Sequence, residues 1–284
     1  MEMLINREFP KRPEKNKLDE LKSIGSATIS AELKHLAGIE DSFMLGPKTC
    51  NPGQSIAGPA ITLQFMPIRE DYYKDEAEYQ NVEEQLHRHA LYLAEAGDII
   101  VVDARGDLQS GVFGEMMVSY FQGKGGEGMI IDGCIRDSRK ALETGLGIWS
   151  RGFTPNYHIQ TGIFPFSVNH PIACGGRLVF PGDIIVADDD GSVVIPLKLV
   201  NDLLEKAGSH KEWEDFTKIP DGIRSSGDFK SGGKLLLACE SGTEKSGSVR
   251  KYYLINSKEE IIEIPSQKAL GLLESSDETV YSAP

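Results

Sequence analysis

Apolar residues follow two rhythms along this chain, and the contrast between them is sharpest from residue 98 to residue 153. Short unbroken runs, "IIVVD" from Ile99 to Asp103 and "GMIID" ending at Asp132, alternate with segments whose apolar positions recur every three or four residues. Unbroken runs of that length predict buried strands, and the longer spacing predicts helices. "FGEMMVSYFQG" is the first such helix, with Phe113, Met116, Met117, Tyr120 and Phe121 expected on one stripe. "SRKALETGLG" is the second, closed by Gly145 or Gly147. "IWSRGFTP" then begins as a strand and ends in a turn. Strand, helix, strand, helix, strand at this spacing implies right-handed βαβ crossovers and parallel strands, an α/β protein.

The flanks read differently. Residues 1–24 are expected as an arm, polar and proline-containing for about the first 20. "LKSIGSATISAELKHLAG" predicts a helix with Ser26 or Thr28 available as its N-cap. "SIAGPAITLQFMP" predicts a strand introduced by a Gly-Pro turn. "DEAEYQNVEEQLHRHALYLAEAGD" predicts a helix with Leu86, Ala90, Leu93 and Ala94 on its apolar face, stopped by Gly97. Further on, "RLVFPGDIIVADDDGSVVIP" reads as strands joined by tight turns, a β-rich layer. Its Gly182-Asp183-Ile184-Ile185-Val186 echoes Gly97-Asp98-Ile99-Ile100-Val101, two similar starts of a strand rather than a repeat architecture. "PLKLVNDLLEKAGSHKEWEDFTK" predicts an amphipathic helix. From about residue 220 the composition turns to Ser, Gly, Lys and Glu. "SSGDFKSGGK" and "CESGTEKSGSVRK" read as loops or linkers, with "KLLLA" and "KYYLI" as short strands. The chain thus divides into an arm over 1–24, a main domain over 25–219 and an extension over 220–284.

Composition narrows the function classes. With 284 residues, 40% of them hydrophobic, the chain is long enough for a sizeable core without staples. A net charge of −13 argues against wrapping nucleic acid, which needs clustered Lys and Arg. It leaves room for a small anion, because one local arginine can hold a carboxylate. Cys50, Cys134, Cys174 and Cys239 form no CxxC pair and read as free thiols of a reducing compartment. The N-terminus has no apolar signal region and no run of about 18 apolar residues occurs anywhere, so the expectation is a cytoplasmic protein without membrane contact.

The candidate chemistry lies in two turns. After the strand ending at Asp132, the chain is expected to turn through Gly133-Cys134-Ile135-Arg136-Asp137 into a helix. Ligands of open α/β sheets bind beyond the carboxyl ends of the strands, where this turn falls. Asp137 is a good N-cap residue, and the same position suits a hard oxygen ligand for Mg²⁺ or Mn²⁺. Arg136 beside it offers a guanidinium for a carboxylate or enolate, or else is an ordinary surface residue. In "GVFGEMM", Gly111 and Gly114 loosen a helix start, leaving amides after Glu115 free to face an anion. The competing reading buries Met116 and Met117 and leaves Glu115 in water. His87 and His89 sit two apart on a helix and face different ways, which disfavours shared metal ligation. "ADDDGS" suits a hairpin turn better than a cation site, and "QGKGGEG" lacks the rest of a P-loop.

In order and spacing, "GPAITLQ", "GDIIVVDARGDLQSGVFGEMM", "GMIIDGCIRD", "SRGFTPN" and "PGDIIVADDDGSVVIP" resemble the RraA-like family. That family includes the class II 4-hydroxy-4-methyl-2-oxoglutarate/4-carboxy-4-hydroxy-2-oxoadipate aldolases and the regulator of ribonuclease E activity A. The resemblance spans roughly residues 25 to 215. It implies a swivelling β/β/α domain assembled as a homotrimer or homohexamer, with sites at subunit boundaries. It implies that Arg136 of the D-G-x-x-R-D motif contacts pyruvate and that Asp137 binds a divalent metal, Mg²⁺ or Mn²⁺. The family's G-[DE]-L-L segment falls on Gly114, Glu115, Met116 and Met117, whose backbone would face substrate, with Glu115 holding water on the metal. Met-Met here replaces two leucines, a change that backbone contacts tolerate. A further acid from a neighbouring subunit has no motif to anchor it, though Glu212 and Glu214 lie in the right region.

The resemblance therefore implies a lyase that cleaves a C–C bond of a small anionic 2-oxo acid to give pyruvate, with oxaloacetate decarboxylation as a related activity. The alternative is a non-catalytic, protein-binding regulator of the ribonuclease E inhibitor type. A methyltransferase is disfavoured, since no Gly-rich nucleotide loop follows a first strand.

Overall fold

In the computed structural model the unbroken apolar runs sort their side chains by parity. Ile99, Val101, Ile130 and Trp149 pack on one face of a sheet, and Ile100, Val102, Ile131 and Ile148 on the other. Both faces are covered, which is why these strands need no polar side. The structure describes residues 4–73, 83, 85–158 and 162–206, together with the backbone of four strands between 224 and 264. The elements are β1 (Leu4–Ile5), α1 (Lys15–Ile24), α2 (Ser26–Ala37), β2 (Lys48–Thr49), β3 (Ile56–Pro67), α3 (Leu86–Leu93), β4 (Ile99–Gly111) and α4 (Glu115–Gly123). They continue as β5 (Gly128–Ile135), α5 (Ser138–Glu143), β6 (Gly147–Phe153), β7 (Ile163–Val168), β8 (Ile172–Cys174), β9 (Arg177–Val179), β10 (Ile184–Ala187) and β11 (Ser192–Ile195).

The main sheet runs β1-β7-β3-β4-β5-β6-β2. Its centre, β3 to β6, is parallel, as the alternation of strand and helix predicts. The start of β3 also pairs antiparallel with β10, which pairs in turn with β11. Leu86 and Ala90 of α3, Val118 and Phe121 of α4 and Ala141 of α5 cover one face. Ile172, Cys174, Val179 and Ile185 of the β-rich layer cover the other. Behind that layer, Leu21, Ile29 and Leu33 of α1 and α2 bury against Ile184, Val186, Val193 and Ile195. The result is the β/β/α layering that the family resemblance implies.

Several local expectations change. Residues 4–24 are not an arm apart from the domain: β1 pairs with β7, α1 buries Leu21, and Arg12 makes a bidentate ion pair with the fully buried Asp98, both bonds 2.8 Å. Gly58-Pro59 lies inside β3, where the strand passes from its β10 partner to β4, so the missing proline N–H interrupts neither ladder's interior. Neither Ser26 nor Thr28 caps α2 with its side chain; Gly25 occupies the cap, and the distant Asp188 accepts from Ser26 N at 2.7 Å and Ser26 Oγ at 2.6 Å. The stripe expected on α4 shifts, because the helix begins at Glu115 and buries Val118 and Phe121. Met116 is 75% exposed and Tyr120 47%. The helix expected after Pro196 begins as a 3-10 turn and continues through residue 206; its remainder, like residues 75–82 of the expected α3 region, lies outside the described residues.

Residues Met1–Ser209 form one compact unit and His210–Pro284 a second. The second contains an antiparallel sheet of β12 (Arg224–Ser231), β13 (Lys234–Ser241), β14 (Val249–Ile255) and β15 (Ile261–Ile264), in that order. "KLLLA" and "KYYLI" are strands as expected, whereas "SSGDFKS", read as a loop, is a strand paired with β13. Hairpin pairing overrides weak local propensity there. The Gly-Asp echo has a physical basis in the first unit. Asp98 Oδ2 accepts Glu95 N at 2.7 Å and Asp183 Oδ2 accepts Phe180 N at 2.9 Å, the same carboxylate turn before each strand.

Candidate active site

Parallel pairing of β4 and β5 makes neighbours of the segments that leave their carboxyl ends. β5 runs on to Ile135, beyond the Asp132 at which the sequence pattern placed its end, because Cys134 and Ile135 still pair with Gly152 and Phe153. The turn therefore shrinks to Arg136 and Asp137. It is stitched to the β4–α4 connection by Val112 N to Cys134 O at 3.0 Å and Arg136 N to Phe113 O at 2.9 Å. Gly111 N donates to Asn156 O at 3.0 Å on the far side. Three segments from different parts of the chain are thus held together by backbone bonds, to which Thr154 Oγ1 adds a bond to Gln109 O at 3.1 Å.

Asp137 occupies the N-cap position of α5, and its carbonyl accepts Ala141 N at 2.9 Å. The expected side-chain cap is absent: the residue is left-handed, φ 54 and ψ 36, and its carboxylate makes no cap bond. Instead Oδ2 lies 3.4 Å from Glu115 N and 3.6 Å from Arg136 Nε. A left-handed L-residue costs about 1–2 kcal/mol, least for Asp and Asn, and such strain concentrates at functional sites. Gly114 makes the approach possible. A Cβ there would sit 2.6 Å from Asp137 Oδ2 and 2.9 Å from Arg136 Nε.

A cavity of about 580 Å³ opens over this junction, and Gly114, Glu115, Met116, Met117, Arg136 and Asp137 all line it. One detail of the sequence reading changes. Met117 N bonds Gly114 O at 3.1 Å within the helix, so the first-turn amides without a backbone acceptor are Glu115 N, which meets Asp137 Oδ2 at 3.4 Å, and Met116 N. Glu115 begins α4, where the helix dipole favours a carboxylate, and Ser119 Oγ donates to its Oε1 at 3.3 Å. Met116 and Met117 flank it, Met117 partly packed against the core and Met116 open to solvent.

Sequence reasoning missed the opposite wall, formed by Gln85, His87, Arg88, Tyr157 and His158, with Lys140 beside Asp137. His87 and His158 are 4% and 6% exposed, and their rings meet edge to face at 4.7 Å. Burial, then the charges of His158, Arg88 and His89, push the His87 pKa well below its usual value, so the ring is neutral. His89 turns away to Glu83 O at 2.8 Å, as the two-residue spacing predicts. The one available sequence signal was that His87 adjoins the buried face of α3. Arg88, Arg136 and Lys140 against Glu115 and Asp137 make a lining suited to an anion with a cation beside it.

The donor chemistry fits a hard divalent ion. Asp137 is half exposed, freed from capping, and next to the Glu115 helix start. Among the described residues no cluster of three or more His, Cys, Asp or Glu is present, which disfavours an all-protein cage. Mg²⁺ commonly binds through one or two carboxylates and keeps several waters. In the "ADDDGS" turn, two of the three acids are already engaged by the chain. Asp188 serves Ser26, and Asp189 accepts Gly53 N at 2.8 and 3.1 Å.

Residues 26–194 match the family model described as RraA-like: Aldolase/RraA. The chain belongs to the RraA-like family. Among its relatives is a protein of Halalkalibacterium halodurans named "Putative 4-hydroxy-4-methyl-2-oxoglutarate aldolase", 32% identical over 67% of this chain and 81% of that one. Among solved structures, Streptomyces coelicolor RraAS2, described as an unusual member of the RNase ES inhibitor RraA family, is 40% identical. It superposes with a TM-score of 0.67 over 74% of this chain and 99% of its own. An uncharacterized protein of Pseudomonas syringae pv. tomato gives a TM-score of 0.59 at 25% identity, covering 72% of this chain and 92% of that one. The RraA-like match takes in the β4–α4 and β5–α5 turns and stops short of the second unit. Glu212 and Glu214, considered as acids for a neighbouring site, lie outside the described residues. No helix among the described residues is long and apolar enough to cross a membrane.

Proposed function

We propose that this protein is a divalent-metal-dependent lyase that releases pyruvate from a 2-oxo acid. The observation that carries the reading is the Asp137 carboxylate, left uncapped beside Arg136 and Glu115 at the wall of a 580 Å³ cavity. Asp137 would hold Mg²⁺ or Mn²⁺, which when bound acts as a Lewis acid toward the 2-oxo group.

The remaining work falls to the chain's own groups. Arg136 binds the substrate carboxylate and stabilises charge that develops on the 2-oxo oxygen as the C3–C4 bond breaks. Glu115 Oε2, the oxygen opposite the one bonded by Ser119, orders a water that takes the proton from the C4 hydroxyl. The electron pair of the broken bond passes into the C2–C3 enolate, and the same water returns the proton to C3 to give pyruvate. Loss of CO₂ from oxaloacetate leaves the same enolate and needs only the C3 protonation. Assembly into a homotrimer or homohexamer, and a cytoplasmic location, belong to the same reading.

The test is pyruvate release from 4-hydroxy-4-methyl-2-oxoglutarate and from oxaloacetate, with Mg²⁺ or Mn²⁺ and then with EDTA. Wild type is compared with Arg136→Ala and Asp137→Ala. Metal-dependent release abolished in both variants is the expected result. A folded wild type that releases no pyruvate from either compound overturns the reading and favours a binding protein. The 40% identity to an RNase ES inhibitor relative supports that second reading, and a pull-down with a ribonuclease of that class tests it.

A further inference from the structure

We propose that His87 contacts the substrate, donating a hydrogen bond from Nε2 to an oxygen in the part of the 2-oxo acid that lies beyond its pyruvoyl end. The inference rests on the lyase reading, which assigns the pyruvoyl end to Arg136. His87 stands in the first turn of α3, 4% exposed, on the cavity wall formed with Arg88, Tyr157 and His158. Its Nδ1 is sealed from solvent and has no hydrogen-bond partner. Nε2 is therefore the nitrogen that a molecule in the cavity can meet. Buried polar groups are nearly always paired, and with Nδ1 sealed, Nε2 is the ring atom whose partner can come from the cavity.

Packing and charge both suit the role. Edge-to-face contact with His158 at 4.7 Å and a tilted contact with Phe113 at 6.3 Å hold the ring. Because burial keeps His87 neutral, it carries a single N–H. An orphaned buried N–H is rarer than an orphaned acceptor, so the proton belongs on Nε2 and the lone pair on the sealed Nδ1. The wall therefore presents a neutral donor. Arg88, bonded to Gln85 Oε1 at 2.5 Å, adds a positive charge to the same wall. Together they suit a hydroxyl or carboxylate oxygen on the half of the ligand that departs.

The experiment is calorimetric titration of the full-length, Mg²⁺-loaded protein with pyruvate and with 2-oxoglutarate. Wild type, His87→Leu and His87→Gln are compared, with melting curves as the check on folding. Pyruvate occupies only the Arg136 end, so its Kd should stay within about twofold in both variants, whereas His87→Leu should weaken 2-oxoglutarate about tenfold. His87→Gln, whose amide N–H can take the place of Nε2–H, should recover most of that loss. Unchanged 2-oxoglutarate binding, equal weakening of both ligands, or a Gln variant as weak as Leu would each overturn the inference alone. A wild type that binds neither ligand overturns the lyase reading and this inference with it. Should His87→Leu not fold, His87→Met removes the same N–H at similar volume.

Discussion

Two acid-bearing turns of this protein make opposite use of the same residue type. At the β10–β11 hairpin, Asp188 and Asp189 point back at the chain, where they accept Ser26 N, Ser26 Oγ and Gly53 N. At the β5–α5 turn, Asp137 declines the capping bond its position offers and turns its carboxylate toward the start of α4, at the edge of a cavity. The first turn joins the hairpin to α2 and to the loop before β3. The second stores local strain and leaves a charge half exposed. Short bonds of 2.6–2.8 Å tie the hairpin carboxylates to the chain, whereas Asp137 meets only Glu115 N at 3.4 Å and Arg136 at 3.6 Å, a difference set by the neighbouring segment rather than by the acid.

The comparison breaks most visibly under substitution of the charges. Arg136→Ala and Asp137→Asn should each lower kcat/KM for pyruvate release by about 10²–10³-fold, read in steady-state assays. Asn tolerates the left-handed backbone, so Asp137→Asn should unfold in urea within about 0.5 kcal/mol of wild type. Comparable destabilisation and loss of activity would make Asp137 a structural residue like Asp188. At the hairpin the effects should reverse. Asp188→Ala strands Ser26 at the start of α2 and should cost about 2–3 kcal/mol in urea unfolding, with pyruvate release unchanged per folded molecule.

A pair of glycines sharpens the contrast. Gly191 has φ 145, and a Cβ there would meet Phe43 Cε2 at 2.4 Å, so Gly191→Ala should lose about 1–2 kcal/mol of stability and little activity. Gly114→Ala pushes on Asp137 and Arg136 instead, and should lower activity about tenfold while stability changes less. Urea midpoints and kcat/KM on both variants decide whether the two effects separate.

The smallest effect is a pH slope. His87 has a folded pKa well below its unfolded value near 6.5, so below that pH the unfolded chain binds more protons. Its neutral burial is tolerated above pH 6.5 and opposes folding as pH falls beneath it. Asp103 and Asp183 act the other way. Burial raises their carboxyls, so their contribution is lost as pH rises above the unfolded value near 4. The His87 part is isolated by difference: between pH 7 and pH 5, His87→Gln should lose less stability than wild type, measured by urea unfolding. Equal losses would place the ring in contact with water.

Much of the fold was legible because its signals are local. Runs such as Ile99–Val102 and Met129–Ile131 specify strands, and the helical spacing between them specifies crossovers, so parallel pairing follows from handedness and length. The α4 stripe differs from its apolar spacing because the helix starts at Glu115, two residues after Phe113, and turns Val118 and Phe121 inward. The N-terminal segment looked like an arm because its anchor, the Arg12–Asp98 pair, joins residues 86 positions apart. In the candidate site, Arg136, Asp137 and Glu115 were visible as turn residues after strands. His87, Arg88, Tyr157 and His158 were not, since nothing in a sequence places a helix before β4 opposite a loop after β6.

Sequence thus settled the order of strands and helices from β3 to β6, the parallel centre of the sheet and the family, because periodicity and ordered motifs act over a few residues at a time. Tertiary structure decided which acids are bound tightly to the backbone and which face a cavity, which histidine lies at the cavity wall and where the N-terminus is fastened. Those outcomes depend on hydrogen bonds and burial between segments distant in the chain, and a carboxylate or an imidazole carries no local mark of what will pack against it.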